Sequence, residues 1–324
     1  MKVVVTDFTF PSLEIEEAIL RPAGVEVVGG QAKTPEAILP LVADADAVIT
    51  QFAPVNADVV AAMTKARAIV RYGIGVDNVD LDAARARGIP VCNVPDYCID
   101  EVADHTLAFL LATTRQVVAN AVRNREGRWG LAQPVDRMFA LRDLTVGVVG
   151  FGRIGREVVS RLKAFKCRVL VHDPMVPAPE IERSGGIAVD LGRLFAESDA
   201  ITLHCPSTAQ TRGMIGRESL GLMRPGVILV NVARGDLVDS EALTEALQAG
   251  RVSAAALDVF APEPIPPGHP ILKMDNVIVA SHIASASVPA VRKLRTTVAN
   301  LALAAIRGEP LSSVVNGVAP RGRP

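Results

Sequence analysis

Residues 145 to 173 constrain the fold more than any other stretch. The run Val146-Gly-Val-Val-Gly150-Phe-Gly152-Arg-Ile-Gly155 sets GxGxxG directly behind a strand pattern and at the start of a helical one. Arg168 to His172 forms the next strand, and Asp173 ends it. Strand, glycine-rich turn, helix and strand in this order make a dinucleotide-binding unit. Gly150 permits the tight turn, Gly152 lets the backbone approach a pyrophosphate, and Gly155 lets the helix pack on the strand, with phosphate charge facing the helix N-terminus. Asp173 stands where a carboxylate accepts hydrogen bonds from a ribose 2′-hydroxyl and repels a 2′-phosphate, so NAD is expected over NADP. A lone GxGxxG reads equally well as a glycine-rich turn; the flanking strands and the terminal acid separate the two.

At 324 residues the chain exceeds what one hydrophobic core usually serves, and about one domain per 150 residues gives two. Apolar residues make up 49% and charged ones 21%, which indicates a globular protein and excludes disorder. A net charge of -1, with both signs interspersed, gives no field for nucleic acid or an anionic membrane, so the expected partner is a small molecule. No stretch reaches the roughly 18 apolar residues of a membrane helix. The start, MKVVVTDF, reads as a first strand and not as a signal peptide. A cytoplasmic location is expected from that start. Cys92, Cys98, Cys167 and Cys205 show no CxxC or Cys/His ligand pattern; they are read as reduced and structural, with no metal site.

The fold class expected is α/β, in two Rossmann-like domains. Over residues 1 to 95, apolar runs at Val3 to Val5, Val25 to Val28, Ala47 to Thr50, Ala68 to Val70 and Pro90 to Cys92 alternate with helical spacings, which gives a parallel sheet. A single helix is expected from Asp100, as N-cap, to Asn124. Six further strands, at Val146 to Val149, Arg168 to His172, Ala200 to His204, Val227 to Val232, Ala254 to Val259 and Val277 to Ala280, fit a doubly wound sheet. Gly127 to Asp143 reads as a loop or arm, and Pro289 to Arg307 as a last helix returning to the first domain, followed by strand-like Ser313 to Val315 and a Pro/Gly/Arg tail. The expected division is a flavodoxin-like substrate domain, 1–99 and 290–324, with the NAD-binding domain, 100–289, inserted in it.

Carboxyl ends of strands are where α/β ligands bind, and the strand ends here are Cys205-Pro206, Ala233-Arg234-Gly235, Asp258 and Ser281-His282. Arg234 is placed for a bidentate grip on a carboxylate, the alternative being a structural ion pair. His282 offers a neutral-pH proton donor, as carbonyl reduction beside a nicotinamide requires. Glu263, in Ala261-Pro-Glu-Pro264, is either a solvated loop acid or the partner that raises the His282 pKa. His105, His172, His204 and His269 are read as structural.

NVARGDLVDSEAL, ALDVFAPEP, the ASHIAS around His282, RYGIGVDNVD from Arg71, CNVPDYCIDEVADHT from Cys92 and LHCPSTAQT from Leu203 together resemble, in order and over nearly the whole chain, the D-isomer-specific 2-hydroxyacid dehydrogenases. The resemblance implies that Arg234 holds the substrate carboxylate and carbonyl, His282 is the acid/base and Glu263 orients and charges it. It implies substrate contacts at Gln51, Phe52, Ile74 and Gly75, with the Gly73–Gly75 amides on the carboxylate. It assigns the nicotinamide carboxamide to Asp258 and a phosphate contact to Thr106, and cofactor contacts to Arg153, Ile154, Cys205, Pro206, Thr211, Val232, Ala233 and Ala284, the last standing where Gly is usual. The implied reaction transfers hydride between NAD(H) and a small 2-oxo or 2-hydroxy acid.

Within that family the loop Thr50 to Ala53 lacks the arginine that phosphoglycerate enzymes place there, and the chain ends without a further regulatory domain, so a small unphosphorylated acid of glyoxylate or hydroxypyruvate type is expected. Formate dehydrogenases put Gln at the Glu263 position. D-3-phosphoglycerate dehydrogenase remains an alternative, as does an NAD-sensing module, because CNVPDYCIDEVADHT and VHDP also resemble the C-terminal binding proteins. Family members are usually homodimers through the cofactor domain; the arm Trp129 to Arg142 either crosses to a partner or leaves Trp129 as ordinary core.

Overall fold

The computed structural model describes residues 1–319, so the expected tail at 320–324 lies outside the described residues. The chain forms two compact units: Met1–Tyr97 with the chain from Ser287 onward, and Cys98–Ala286.

The first unit is laid down as β1 (Lys2–Val5), α1 (Glu14–Leu20), β2 (Glu26–Gly29), α2 (Pro35–Val42), β3 (Ala47–Thr50), α3 (Ala57–Ala62), β4 (Ile69–Arg71), α4 (Leu81–Ala86) and β5 (Val91–Cys92). All its strands pair in parallel, in the order β2-β1-β3-β4-β5. Successive side chains of a strand face opposite ways. Val3 and Val5 therefore enter one core while Val4 joins Ile38, Val48 and Val59 in the other. Local signals start the helices: the Asn56 side chain accepts from the Val59 amide at 3.0 Å, and Asp80 from the Ala83 amide at 2.9 Å.

The second unit runs α5 (Ile99–Thr114), α6 (Val117–Arg125), β6 (Thr145–Val149), α7 (Arg153–Ala164), β7 (Arg168–His172), α8 (Ala178–Arg183), β8 (Ile187–Ala188), α9 (Leu191–Glu197), β9 (Ala200–Leu203), α10 (Arg217–Leu222), β10 (Val227–Asn231), α11 (Ser240–Gln248), β11 (Val252–Leu257) and β12 (Val277–Val279). Its seven parallel strands lie in the order β12-β11-β10-β9-β6-β7-β8. The order reverses between β6 and β9, the switch point at which such sheets bind ligands. Both sheets match the α/β class expected from sequence.

Two expectations need correction. The helix expected over 100 to 124 is two helices. Thr113 and Thr114 turn their hydroxyls onto the carbonyls of Phe109 and Leu110, and Gln116 adopts the left-handed conformation (φ 55°) that ends a helix. Cys98, not Asp100, precedes the first turn, and the Asp100 carboxylate instead accepts from Arg161 of α7 at 2.6 Å. The seventh strand, β8, is two residues long and lies in the short apolar run Ile187-Ala188-Val189, outside the six strands expected.

The first unit is completed by α12 (Val288–Arg307), capped by Ser287 and closed by left-handed Gly308. Its apolar face, including Leu294, Val298, Ala302 and Ile306, fills the core against Val3, Val5 and Tyr72. Within that core Arg295 donates to both oxygens of buried Glu16, at 2.9 and 2.6 Å, and the Tyr72 hydroxyl donates to Glu16 at 2.9 Å. Burial, then the Glu16 charge, pushes the Tyr72 pKa well up. Of the strand-like 313–315 segment, Val314 forms only a single antiparallel bridge to Cys92.

Candidate active site

The three glycines of the β6–α7 turn have separable reasons. At Gly150 (φ 98°) a Cβ would meet the His204 carbonyl carbon at 2.7 Å, and at Gly155 it would meet the Gly150 oxygen at 2.1 Å, so the protein's own packing excludes a side chain at both. At Gly152 nothing lies within 4 Å. The space there is unused by the protein and lies just ahead of α7, whose first residues are Arg153 and Ile154. This open cradle at the N-terminus of a 12-residue helix fits a dinucleotide pyrophosphate. Asp173 adds a second feature: its Oδ2 accepts the Phe151 amide at 2.7 Å and its Oδ1 the Met175 amide at 2.8 Å, each oxygen keeping a lone pair for a ribose hydroxyl.

Beyond β9, the loop through Cys205 and Pro206 is closed by Thr211, whose hydroxyl donates to the Pro206 carbonyl at 2.6 Å. Beyond β10, Val232 and Ala233 lead to Arg234, which is half-buried and extended. Asn231 holds this turn, accepting from the Ala233 amide at 3.0 Å and donating to the Arg234 carbonyl at 2.8 Å. Beyond β11, the buried Asp258 accepts the Ile283 and Ala284 amides, each at 2.8 Å, and its carbonyl accepts the His282 amide at 2.7 Å. Three bonds thus hold His282 in a left-handed conformation (φ 57°), a strained arrangement of the kind found at functional sites. Ala284 is buried and lies outside the positive-φ positions, so its methyl group is accommodated where Gly is usual.

Glu263 closes the set. Its Oε2 lies 2.8 Å from His282 Nδ1, and its Oε1 accepts the Phe260 amide at 2.9 Å. Burial raises the Glu263 pKa, but the hydrogen bond and charge of His282, the Phe260 amide and the Arg234 charge outweigh it and leave the carboxyl below its ordinary value. Arg234, Asp258, Glu263 and His282 therefore come together at the ends of β10, β11 and β12.

Thr106 is fully buried inside α5, with its hydroxyl on the Val102 carbonyl at 2.8 Å. Among the other histidines, His204 is pushed down to about 3 by burial and lies 2.9 Å from the Thr202 hydroxyl, while His172 meets the Val189 carbonyl at 3.1 Å. His105 stands closer to the site than expected, its Nε2 3.9 Å from Asp258 Oδ1. Among the described residues no cluster of His, Cys, Asp or Glu could hold a metal ion, and no helix is long and apolar enough to cross a membrane.

Gln51, Phe52, Ile74 and Gly75 belong to the first unit, beyond β3 and β4. Asn93 donates to the Ile74 carbonyl at 2.6 Å, and the Val94 amide to the Gly73 carbonyl at 2.9 Å, which fixes that turn. Gln51 does not present its side chain: it is 7% exposed and bonded to Thr9. Sequence reasoning passed over Asn231 and Asp7. The signal available for both was a polar side chain at the carboxyl end of an apolar strand.

Residues 107–284 match the family model described as D-isomer specific 2-hydroxyacid dehydrogenase, NAD binding domain. The chain belongs to the D-isomer specific 2-hydroxyacid dehydrogenase family. Among members of the family, a glyoxylate reductase of Korarchaeum cryptofilum is 40% identical over 89% of this chain and 87% of its own length. A D-3-phosphoglycerate dehydrogenase of Archaeoglobus fulgidus is 39% identical over 93% of this chain but only 57% of its own, so the chain spans little more than half of that relative. The D-lactate dehydrogenase of Aquifex aeolicus, solved with NAD and lactic acid, superposes with a TM-score of 0.86 at 27% identity, over 95% of this chain and 96% of that one.

Proposed function

We propose that the protein is an NAD-dependent dehydrogenase interconverting a small 2-oxo acid and the corresponding D-2-hydroxy acid, of glyoxylate or hydroxypyruvate type. The 2.8 Å Glu263–His282 pair, beside Arg234 at adjoining strand ends, carries this reading. Bound NADH supplies the hydride for the ketone carbon. His282 protonates the oxygen that gains charge; Glu263, on Nδ1, fixes the ring and supports its charged form. Arg234 binds carboxylate and carbonyl and stabilises the same oxygen. The Ile74 and Gly75 amides are assigned to the carboxylate, Asp258 to the carboxamide, and Asp173 to the choice of NAD. A cytoplasmic setting belongs to the same reading.

Similarity to proteins named phosphoglycerate dehydrogenase favours a second reading, in which the acid is phosphorylated. Phe52 speaks against it, since it places a ring in the loop where those enzymes carry an arginine. NADH oxidation with glyoxylate, hydroxypyruvate, pyruvate, phenylpyruvate and 3-phosphohydroxypyruvate separates the cases. Efficient turnover of an unphosphorylated acid, abolished in His282→Ala with NADH binding retained, is the expected result. Preference for the phosphorylated acid selects the second reading, and no turnover with any acid selects an NAD-sensing module.

The homodimer belongs to this proposal as well. Val117, Val118 and Val122 of α6, with Trp129, Leu131 and Val135 of the arm, are exposed, Trp129 to 92%, so it is not core. An apolar strip of this kind suits a second copy of the chain. Light scattering on wild type and Trp129→Glu tests it, with the variant expected to shift toward monomer.

A further inference from the structure

We propose that Asp7 is a positioning residue that fixes Phe52 as the side chain selecting among 2-oxo acids; the inference rests on the dehydrogenase reading above. Asp7 follows β1. The Thr6 amide still pairs with the Ile49 carbonyl at 2.9 Å, so Asp7 emerges beside the segment leaving β3. It is 7% exposed. Its Oδ2 accepts the Phe52 amide at 2.7 Å, and its Oδ1 accepts the Gln51 amide at 2.9 Å and the Thr6 hydroxyl at 2.9 Å. The Thr50 hydroxyl lies 3.4 Å from the same Oδ1 and 3.2 Å from the Ala53 carbonyl.

Two consecutive backbone amides aimed at one carboxylate fix two successive peptide planes, and with them the direction in which the residue between leaves the chain. The Gln51 side chain is drawn inward by Thr9, which donates its amide to Oε1 at 2.8 Å and accepts from Nε2 at 3.1 Å. The far end is held by Asn78, which donates to the Ala53 carbonyl at 2.8 Å. What the loop presents is therefore Phe52, 45% exposed, its ring centroid 5.7 Å from the Arg71 guanidinium carbon. An apolar ring held in one place beside a cation discriminates by the size and polarity of a substrate side chain. The same ring on a loosened loop discriminates less.

The test compares wild type, Asp7→Asn, Phe52→Ala and the double variant, reading kcat/KM for glyoxylate and for phenylpyruvate, the NADH Kd and the Tm. Asp7→Asn and Phe52→Ala are expected to move the ratio of the two kcat/KM values in the same direction by about tenfold, the scale of a lost steric contact. The NADH Kd should stay within about twofold, and Asp7→Asn should add nothing once Phe52 is gone. If Asp7→Asn does not fold, Asp7→Glu, which keeps the charge but displaces the carboxylate, carries the same prediction. A lowered Tm with an unchanged substrate ratio, or additive effects in the double variant, would show a merely structural carboxylate and overturn the inference alone. A wild type that reduces no 2-oxo acid overturns the functional reading and this inference with it.

Discussion

Gly150 and Gly152 stand two residues apart, yet an added methyl group would meet quite different surroundings. Gly150→Ala forces a left-handed alanine against the His204 backbone and should cost about 1–3 kcal/mol of stability, seen as a lowered denaturation midpoint. Gly152→Ala has open space and should fold with a near-wild-type Tm while weakening NADH binding by at least about tenfold, or ~1.4 kcal/mol, in a titration. Equal effects of both on NADH affinity at unchanged stability would contradict this division. Glu263 gives a pH signature. Its pKa is lowered in the folded protein, so the stability it contributes is complete above the ordinary carboxylate value and is lost as pH falls through the lowered one. The stability gap between wild type and Glu263→Gln should shrink as pH falls through that acid window; a gap that widens there would reverse the sign. The glycines, Asp173, Arg234, Glu263 and His282 were legible because each sits in a local pattern. Asp7 acts on backbone amides brought near only by strand pairing, 44 positions away at Gln51, and no spacing rule reaches that far; Asn231 acts two and three residues ahead, on Ala233 and Arg234, within a turn that apolar patterning does not mark.

At the level of elements, ten strands were marked by apolar β-branched runs, an eleventh by an alanine-rich one, and the switch point follows from where the glycine-rich turn falls. The two-residue β8 sits in the short run Ile187-Ala188-Val189, which a connection between two helices carries equally well. The break between α5 and α6 is hidden in the sequence for another reason. Val117 and Val118 continue the apolar spacing of α5, but they are exposed, so the periodicity joined a buried face to a surface one. Gln116 occupies a left-handed position that favours glycine. Gln116→Gly should therefore stabilise the protein, by up to about 1 kcal/mol after the entropy glycine adds to the unfolded chain. Thermal melts check this, and a lowered Tm would mean that the Gln116 side chain contributes more than its backbone costs.

At the scale of the molecule, the first unit is closed by a helix from the far end of the chain, fastened through the Arg295–Glu16 pair, whose side chains are 5% and 0% exposed. Arg295→Ala strands a buried carboxylate and should cost about 3–5 kcal/mol in urea denaturation, whereas Glu16→Leu with Arg295→Met should cost much less. Equal losses would mean that the pair's own attraction, not the stranded charge, sets the cost. The same arrangement has a temporal consequence during synthesis. The five strands of the first sheet leave the ribosome long before α12, with roughly 190 residues of the second unit made in between. At about 5–20 residues per second, one face of that sheet waits about 10–40 s without its covering helix. During that interval its valines are a target for a nascent-chain chaperone, while the uninterrupted second unit is free to fold first.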